Sequence, residues 1–266
     1  ALVLEAIEHG VAVVSDKPFA ANAEQAQALI TAAERHEVLL SVYQNRRWDS
    51  DYLTLRKLID AGALGQVSRF ESRVERYSPQ VVGNASGGGW LRDLGSHLVD
   101  QALQLFGPVE RVFAQLHYTA EHPSVDHGFF VSLTHANGVI SHLWGNALQN
   151  CQAPRFRVSG SLGCYTVDGL DGQEEALMAG KSPKTEGEHW GAEEHRRWGW
   201  FEQGPERERV PSEKGCWTQF YRQLQAAVQG QGPLPVDAYD ALQTTRVLDA
   251  ARLSAERRQV IEMAAL

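Results

Sequence analysis

Hydrophobic residues in the first part of the chain switch between helical periodicity and short continuous runs. Residues 1–9 have helical periodicity, and the apolar run at 11–14 is typical of a strand buried on both faces of a parallel sheet. A second helix over 21–36, with Asn22 as its N-cap, and a second buried strand over 38–43 follow. This alternation predicts a doubly wound α/β unit, in which ligands bind at the carboxyl ends of the strands.

From residue 50 the pattern changes to strand-like segments joined by short turns. A helix is predicted at 50–61 and another, amphipathic, at 91–106, and Ala136-Asn137-Gly138 is a strong hairpin signal. The strands are predicted at residues 67–76, 109–118, 127–134, 138–146, 154–160 and 163–168. Sequential strands with short turns predict a large, mostly antiparallel sheet with the 91–106 helix packed on one face.

The end of the chain is predicted to be helical after a long irregular segment. Residues 169–213 are rich in Gly, Glu, Lys and Pro and have little periodicity, so we expect a loop or arm that is ordered only against a neighbour. Helices at 214–229 and 236–256 follow, the second entered from Pro235.

Composition excludes several classes of protein. The chain has 266 residues, 43% of them hydrophobic and 22% charged, as in an ordinary globular protein. Its net charge of −8 argues against a nucleic-acid partner and favours a neutral or cationic small molecule. No apolar run has the length of a membrane span, and no signal-peptide pattern is present. The three cysteines are an odd number without metal-binding spacing, which indicates free thiols in a reducing cytoplasm.

The clearest candidate for chemistry is a glycine-rich loop that leads into the 91–106 helix. On a continuous helix Asp93 and His97 share one face, and Asp100 can reach the same imidazole from the next turn. Carboxylates beside a histidine orient its ring and move its pKa, so the group could transfer protons near neutral pH. Alternatively, Asp93 caps the helix and His97 is a satisfied polar residue.

Other polar residues follow the two predicted parallel strands. Lys17 precedes Pro18, which holds it in an extended backbone geometry where its ammonium group could stabilise charge on a substrate oxygen. Arg46 and Arg47 either line the same rim or pair with Asp49 and Asp51. His97 and Asp93 could ligate a metal, but no third ligand has motif spacing, so no metal site is predicted.

These motifs together resemble the glucose-fructose oxidoreductase/inositol dehydrogenase (Gfo/Idh/MocA) family. They are Asp16-Lys17-Pro18 after an apolar strand and Gly-Gly-Gly-x-x-x-Asp-x-Gly-x-His-x-x-Asp at 87–100. The stretches 43–51 and 168–174 resemble the subgroup that includes NADP-dependent scyllo-inositol dehydrogenases. The match covers essentially the whole chain, although Asp16 stands where the family usually has glutamate.

The resemblance implies hydride transfer between NADP or NAD and a secondary alcohol of a polyol, inositol or sugar. By position, Lys17 contacts the reacting hydroxyl, His97 is the general acid/base, and Asp93 binds substrate and supports it. We expect the substrate to contact Trp90 together with Lys17, Asp93 and His97. We expect the cofactor to contact Lys17, Pro18, Asn45 and Arg46.

The implied organisation is the C-terminal portion of a Rossmann domain at 1–45, followed by an α+β substrate and oligomerisation domain at 46–266 whose last helix packs back on the Rossmann part. The family's G-x-G-x-x-G loop is absent, so we expect residues upstream of Ala1, and poor cofactor binding by this chain alone. A cytoplasmic homodimer or homotetramer, formed through the C-terminal sheet, is expected. A non-catalytic sugar- or nucleotide-sensing relative and a metal-dependent hydrolase are the alternatives.

Overall fold

The structure is a computed structural model, and it describes residues 2–84 and 88–265. The chain starts with two helices that alternate with two parallel strands, as the hydrophobic pattern predicts. These elements are α1 (Leu2–Glu8), β1 (Val13–Ser15), α2 (Ala23–Arg35) and β2 (Leu40–Val42). Val13 lies opposite Leu40 in the parallel pair. The side chain of Asn22 accepts a hydrogen bond from the Gln25 backbone N–H at 2.9 Å, so the predicted N-cap is confirmed.

The first strand is less buried than its apolar sequence predicts. β2 is buried along its whole length, but Val14 in β1 is 39% exposed, and Val11 just before it is 53% exposed. Within the described ranges β1 pairs with β2 alone, so one of its edges and part of its surface have no covering element. The prediction that β1 is buried on both faces is therefore wrong for this chain.

The rest of the chain forms one large sheet with helices packed against it. The helices are α3 (Ser50–Asp60), α4 (Trp90–Asp93), α5 (Gly95–Phe106), α6 (Gln173–Met178), α7 (Pro183–Glu186), α8 (Thr218–Val228) and α9 (Ala238–Arg257). The strands are β3 (Val67–Glu75), β4 (Val109–His117), β5 (Gly128–His135), β6 (Ile140–Asn146), β7 (Phe156–Gly160), β8 (Cys164–Val167), β9 (Gly199–Gln203), β10 (Glu206–Val210) and β11 (Ile261–Glu262). Short 3-10 turns lie at Asn45–Trp48, Pro79–Val81, Gly187–His189, His195–Arg197 and Met263–Ala265.

In the described residues this sheet has nine strands in the order β10-β9-β8-β7-β3-β6-β5-β4-β11. The β3–β6 pair is parallel and all its other pairs are antiparallel. The predicted hairpin joins β5 to β6, where the Gly138 N–H donates to the His135 carbonyl at 2.9 Å and Gly138 has a φ of +86°. The predicted parallel unit followed by a mostly antiparallel open sheet is confirmed.

The segment at 169–213 is more ordered than its composition predicts. It contains α6, α7 and the β9–β10 hairpin, and β9 extends the sheet from β8. On this hairpin the Trp200 ring lies under the guanidinium groups of Arg207 and Arg209, at 4.1 and 4.0 Å. Charged side chains of this kind are common on edge strands, where they hide the hydrophobic alternation that marks a strand. The prediction of a loop or arm is therefore wrong.

Buried apolar side chains form two clusters that the last long helix connects. One cluster lies between one face of the large sheet and helices α5 and α9, and it includes Phe70, Leu98 and Leu248. The other joins α1, α2 and β2 to α8 and the start of α9, where Phe220 and Leu242 are buried. The division at residue 45 stays a prediction, which this separation of the two clusters supports.

The described residues contain neither a membrane-spanning helix nor a metal-binding cluster. Within residues 2–84 and 88–265, no helix combines the length and apolar character that crossing a bilayer requires. The same residues contain no group of three or more His, Cys, Asp or Glu side chains arranged to hold a metal ion. Cys151, Cys164 and Cys216 are free thiols, as predicted.

Candidate active site

Residues from both halves of the chain surround a cavity at the carboxyl end of β1. The cavity has a volume of about 300 Å³. Its lining residues are Lys17, Pro18, Arg76, Val81, Asn84, Gly89, Trp90 and Asp93. Lys17 and Pro18 follow β1 and are joined by a cis peptide bond, whereas Arg76 follows directly on β3. The cavity thus lies where the ends of strands from both sheets meet.

Lys17 and Asp93 form an ion pair inside this cavity. The ammonium group of Lys17 donates to Oδ1 of Asp93 and, at 3.1 Å, to the backbone carbonyl of the same residue. The Lys17 side chain is 19% exposed and that of Asp93 is 48% exposed. A half-exposed carboxylate can accept a further hydrogen bond from a ligand while it holds the lysine in place.

The predicted 91–106 helix is broken at Leu94, between α4 and α5. The Asp93 carbonyl accepts from Lys17 Nζ and, at 2.8 Å, from the Ser96 hydroxyl. The His97 N–H therefore donates to the Leu94 carbonyl at 3.1 Å instead of continuing the i to i−4 ladder through Asp93. This break turns the Asp93 carboxylate toward Lys17, so the predicted Asp93–His97 contact on one helix face is wrong.

A buried aspartate holds the start of α4 against the cavity. Asp126 is 2% exposed; its backbone carbonyl accepts from the Trp90 N–H at 3.0 Å, and its Oδ2 accepts from the Leu91 N–H at 2.7 Å. Burial raises the pKa of this carboxyl, which its hydrogen bonds partly oppose. Gly89 has a φ of +90°, and a Cβ there would overlap Oδ1 of Asp126. Arg252 completes the arrangement by donating to the Gly88 carbonyl at 2.7 Å.

His97 lies in the first turn of α5 and is only 4% exposed. Its Nδ1 is buried and has no hydrogen-bond partner among the described residues. Burial lowers the pKa of His97 well below its ordinary value, and repulsion from Arg46, Lys17 and Arg155 adds to this. The imidazole is therefore neutral at physiological pH, and the prediction that it charges and discharges near neutrality under the influence of two carboxylates is wrong.

Asp100 does not reach His97 because Arg47 occupies both of its oxygens. Arg47 donates from Nε at 2.8 Å and from Nη2 at 2.6 Å, and it also pairs with Asp240 at 3.0 Å. A bidentate arginine pair is the strongest geometry available to a carboxylate. The predicted alternative of an Arg47–Asp51 pair is wrong.

Arg46 also takes part in ion pairs rather than lining the cavity. Its guanidinium group pairs with Asp49 at 3.1 Å and with Glu174 at 2.8 Å, of which the Asp49 pairing was expected from the sequence. Neither Asn45 nor Arg46 is among the residues that line the cavity. The guanidinium of Arg46 is thus committed to two carboxylates, which argues against its predicted contact with the cofactor.

Gln101 fixes the surroundings of His97 one turn further along α5. It is fully buried, donates to the Arg46 carbonyl at 2.9 Å and accepts from Arg155 at 2.7 Å. Arg155 also pairs with the buried Asp51 at 3.1 Å. These contacts hold the backbone of Arg46 and the guanidinium group of Arg155, and the positive charges of both arginines add to the effect of burial in lowering the pKa of His97.

The structure brings together four of the residues predicted for the site, Lys17, Pro18, Trp90 and Asp93, whereas the buried His97 is not among the lining residues. Gly87, the first glycine of the motif, lies outside the described residues. Sequence reasoning missed Arg76, Val81 and Asn84 as lining residues. The available signal for Arg76 was its position as the last residue of the predicted strand at 67–76, at the end where ligands bind.

The comparisons with known proteins define the class of the chain. Residues 52–166 match the model of the GFO/IDH/MocA C-terminal domain, and residues 1–44 match that of the oxidoreductase family with an NAD-binding Rossmann fold. The chain belongs to the GFO/IDH/MocA family of oxidoreductases. The predicted family, the oxidoreductase class and the nicotinamide cofactor are confirmed.

Individual relatives match nearly the whole chain. The scyllo-inositol 2-dehydrogenase (NADP(+)) IolW of Bacillus subtilis is 34% identical over 264 residues, which is 96% of this chain and 73% of that protein. The uncharacterized oxidoreductase YdgJ of Escherichia coli is 36% identical over 99% of this chain and 77% of its own length. A solved structure of the oxidoreductase YvaA from Bacillus subtilis has a TM-score of 0.90 at 33% identity and covers 98% of this chain and 76% of that one.

The cavity fits the nicotinamide end of the cofactor that the family implies. It lies at the carboxyl end of a parallel strand, and Nδ1 of His97, four residues along the chain from the lining residue Asp93, is buried and has no hydrogen-bond partner among the described residues. The described residues offer no glycine-rich phosphate loop after a strand. The cavity therefore suits the nicotinamide ring and its ribose but not the phosphates, and Lys17 and Pro18 are the residues that would hold the ring and the ribose.

Proposed function

We propose that the protein catalyses the reversible NAD(P)-dependent oxidation of a secondary alcohol of a polyol, inositol or sugar. One observation carries the proposal: the Lys17–Asp93 pair lines a cavity, and His97, whose pKa burial lowers, lies near enough to Lys17 for the ammonium charge to lower that pKa further. Alcohol oxidation needs a group that steadies charge on oxygen and a group that takes up a proton, and this set supplies both.

Lys17 and Asp93 act on the substrate oxygens. The ammonium group donates to the oxygen of the reacting hydroxyl and stabilises negative charge as it develops there. Asp93 holds Lys17 through its carboxylate and its backbone carbonyl, and its half-exposed side chain accepts from a neighbouring hydroxyl of the substrate. Trp90, only 6% exposed, forms an apolar wall against which the carbon skeleton of a sugar or polyol packs.

His97 accepts the proton that leaves the hydroxyl, and in the reverse direction it returns that proton to the carbonyl oxygen. A low pKa keeps the imidazole uncharged and able to accept before the reaction starts. The bound nicotinamide supplies hydride chemistry at the carbon. When His97 has become protonated, the nearby positive charges of Arg46 and Arg155 favour return or onward loss of the proton.

The cofactor proposed is NADP, with NAD as the alternative. The name of the Bacillus subtilis relative specifies NADP(+) and scyllo-inositol, which supports NADP and a substrate with several hydroxyl groups here. We assign Pro18 a contact with the cofactor because it adjoins Lys17 in the cavity lining. Asn45 follows β2 at the same end of the parallel pair and keeps its predicted cofactor role, whereas Arg46 does not.

The proposed assembly is a cytoplasmic homodimer or homotetramer formed through the open face of the large sheet. On the face turned away from α5, Phe130 and Trp144 lie 5.2 Å apart between ring centroids, and Arg73 lies 4.0 Å from the Trp144 ring. A half-buried aromatic surface of this type suits a protein interface. Light scattering on the wild type and Trp144→Glu would test it, since a monomeric wild type contradicts the assignment.

The enzymatic proposal is tested with the protein expressed from the longest reading frame that contains this sequence. Nicotinamide reduction is measured across a panel of inositols, alditols and aldoses, with NADP and with NAD. We expect reduction with at least one compound of the panel and a marked loss in Lys17→Ala and His97→Ala. Measurable cofactor binding without reduction of any compound would instead favour a non-catalytic sensing relative.

A further inference from the structure

Arg76 is a charged residue of the cavity to which the proposed reaction assigns no role. It follows directly on β3, and its backbone N–H donates to the Asn146 carbonyl at 2.9 Å, so the main chain at this position is fixed by the sheet. Its side chain is exposed and lines the same cavity as Lys17. The guanidinium carbon lies 5.6 Å from the centroid of the Trp90 ring, within the range of a cation–π contact.

The charges that line the cavity do not balance. Lys17, Arg76 and Asp93 are its three charged residues, and the Lys17–Asp93 pair is internally neutral. Arg76 forms no ion pair with any carboxylate of the described residues. The residues outside the described ranges are Ala, Ser, Gly and Leu, which carry no acidic side chain. A single positive charge is therefore left over at the rim.

Three buried arginines near the site are all paired with carboxylates, unlike Arg76. Arg46, Arg47 and Arg155 are buried, and each pairs with at least one aspartate. Arg92 of α4 and Arg252 are partly exposed and donate to the Ala20 and Gly88 carbonyls, whereas Arg76 is exposed and its neighbour Glu75 does not line this cavity.

We infer that the substrate is an acidic sugar or polyol, whose carboxylate or phosphate group is bound by Arg76. The inference rests on the proposed function, because it places the reacting hydroxyl at Lys17 and the anionic group at Arg76, another residue that lines the same cavity. The planar guanidinium binds a carboxylate or phosphate through two parallel hydrogen bonds, and the Trp90 ring restricts the orientation of the guanidinium plane.

The test compares substrates that share a carbon skeleton and differ in charge. Nicotinamide reduction is measured with a hexitol, the corresponding hexonate and hexuronate, and a hexose phosphate, on the protein from the complete reading frame. The variants are Arg76→Gln, Arg76→Lys and the control Arg222→Gln, which changes an exposed arginine of α8 outside the cavity lining. Arg76 is exposed, so the variant should fold, and a thermal melt checks this.

We expect at least one acid to be used with a higher kcat/KM than its neutral counterpart. Arg76→Gln should lower kcat/KM for that acid by about 10–100-fold, the loss expected for hydrogen bonds to a charged group. It should change the neutral compound by less than about threefold, Arg76→Lys should lie between, and Arg222→Gln should match the wild type. The arm that responds, carboxylate or phosphate, identifies the anion.

The same measurements separate failure of the inference from failure of the proposed function. A wild type that prefers the neutral hexitol, or an Arg76→Gln variant that loses activity equally on acid and neutral compounds, overturns the inference and leaves the dehydrogenase intact. If no compound is oxidised, calorimetric titration of each acid decides. Binding that Arg76→Gln abolishes would uphold the anion site without the reaction, and absence of such binding would overturn the site.

Discussion

Replacing Gly89 with alanine should destabilise the protein and displace the wall of the cavity. Gly89 has φ and ψ of +90° and 169°, a conformation that side-chain-bearing residues adopt at a cost of about 1–3 kcal/mol. The new Cβ would also overlap Oδ1 of Asp126, which then cannot keep its bond to the Leu91 N–H. Losing a buried hydrogen-bond partner costs about 1–3 kcal/mol more. The expected loss of unfolding free energy is therefore about 2–6 kcal/mol.

A matched control separates the two contributions. Gly138 also has a positive φ, +86°, but a Cβ there would meet nothing within 4 Å. Gly138→Ala should therefore cost only the backbone part, about 1–2 kcal/mol. Both variants are unfolded in urea, and the free energies are compared with that of the wild type. In the Asp126→Ala background, Gly89→Ala should cost less than in the wild type, because the overlapping carboxylate is gone.

The clash with Asp126 also predicts a functional difference between the two glycines. Trp90 and Asp93 follow Gly89 directly, so movement of α4 should raise KM and lower turnover in Gly89→Ala, whereas Gly138→Ala should leave both near the wild type. If Gly89→Ala is no more destabilising than Gly138→Ala, or if its cost is unchanged without the Asp126 carboxylate, the proposed clash between residue 89 and Asp126 is refuted.

Three further outcomes follow from the buried charges. The pKa of His97 is lowered in the folded state, so below about pH 6.5 the unfolded chain binds a proton that the folded chain does not, and the unfolding free energy falls with acid by up to about 1.4 kcal/mol per pH unit. In urea unfolding between about pH 7.5 and 5, the unfolding free energy of His97→Gln should depend less steeply on pH than that of the wild type. An equal dependence in both proteins would contradict the lowered pKa. For the same reason, the acid limb of kcat/KM should lie below the ordinary histidine pKa, and a limb above it would count against His97 as the base. Asp100→Ala leaves Arg47 without its bidentate partner, so we expect a loss of about 3–5 kcal/mol in unfolding free energy, whereas a cost below about 1 kcal/mol, typical of a surface pair, would show that this ion pair is not buried in solution.

Local signals in the sequence were sufficient for most elements and for part of the site. Periodicity and turn residues placed the parallel pair, the Gly138 hairpin and the helices at the end of the chain, because each depends on residues close together in sequence. Lys17 and Asp93 could be matched to one site only through the family resemblance, since 76 residues separate them.

The errors occurred where distant contacts decide the local structure. The break at Leu94 arises because Lys17 and Ser96 both donate to the Asp93 carbonyl, and nothing in the helical pattern of 91–106 reveals the lysine. Arg47 pairs with Asp100 rather than with Asp51, a choice that the packing of α5 makes. The 169–213 segment gains its strands by pairing with β8, and its charged outer positions hide that pairing.

We expect Lys17 to support hydride transfer rather than merely cofactor binding. The most direct test is a single-turnover measurement of nicotinamide reduction by the protein from the complete reading frame, saturated with its best substrate, in the wild type and Lys17→Ala. Cofactor affinity is titrated on the same preparations. We expect the single-turnover rate to be about 100–1000-fold lower in Lys17→Ala, as is typical when a charge-stabilising donor is lost, and we expect the cofactor affinity to change by far less. A near-normal rate in Lys17→Ala would contradict this expectation.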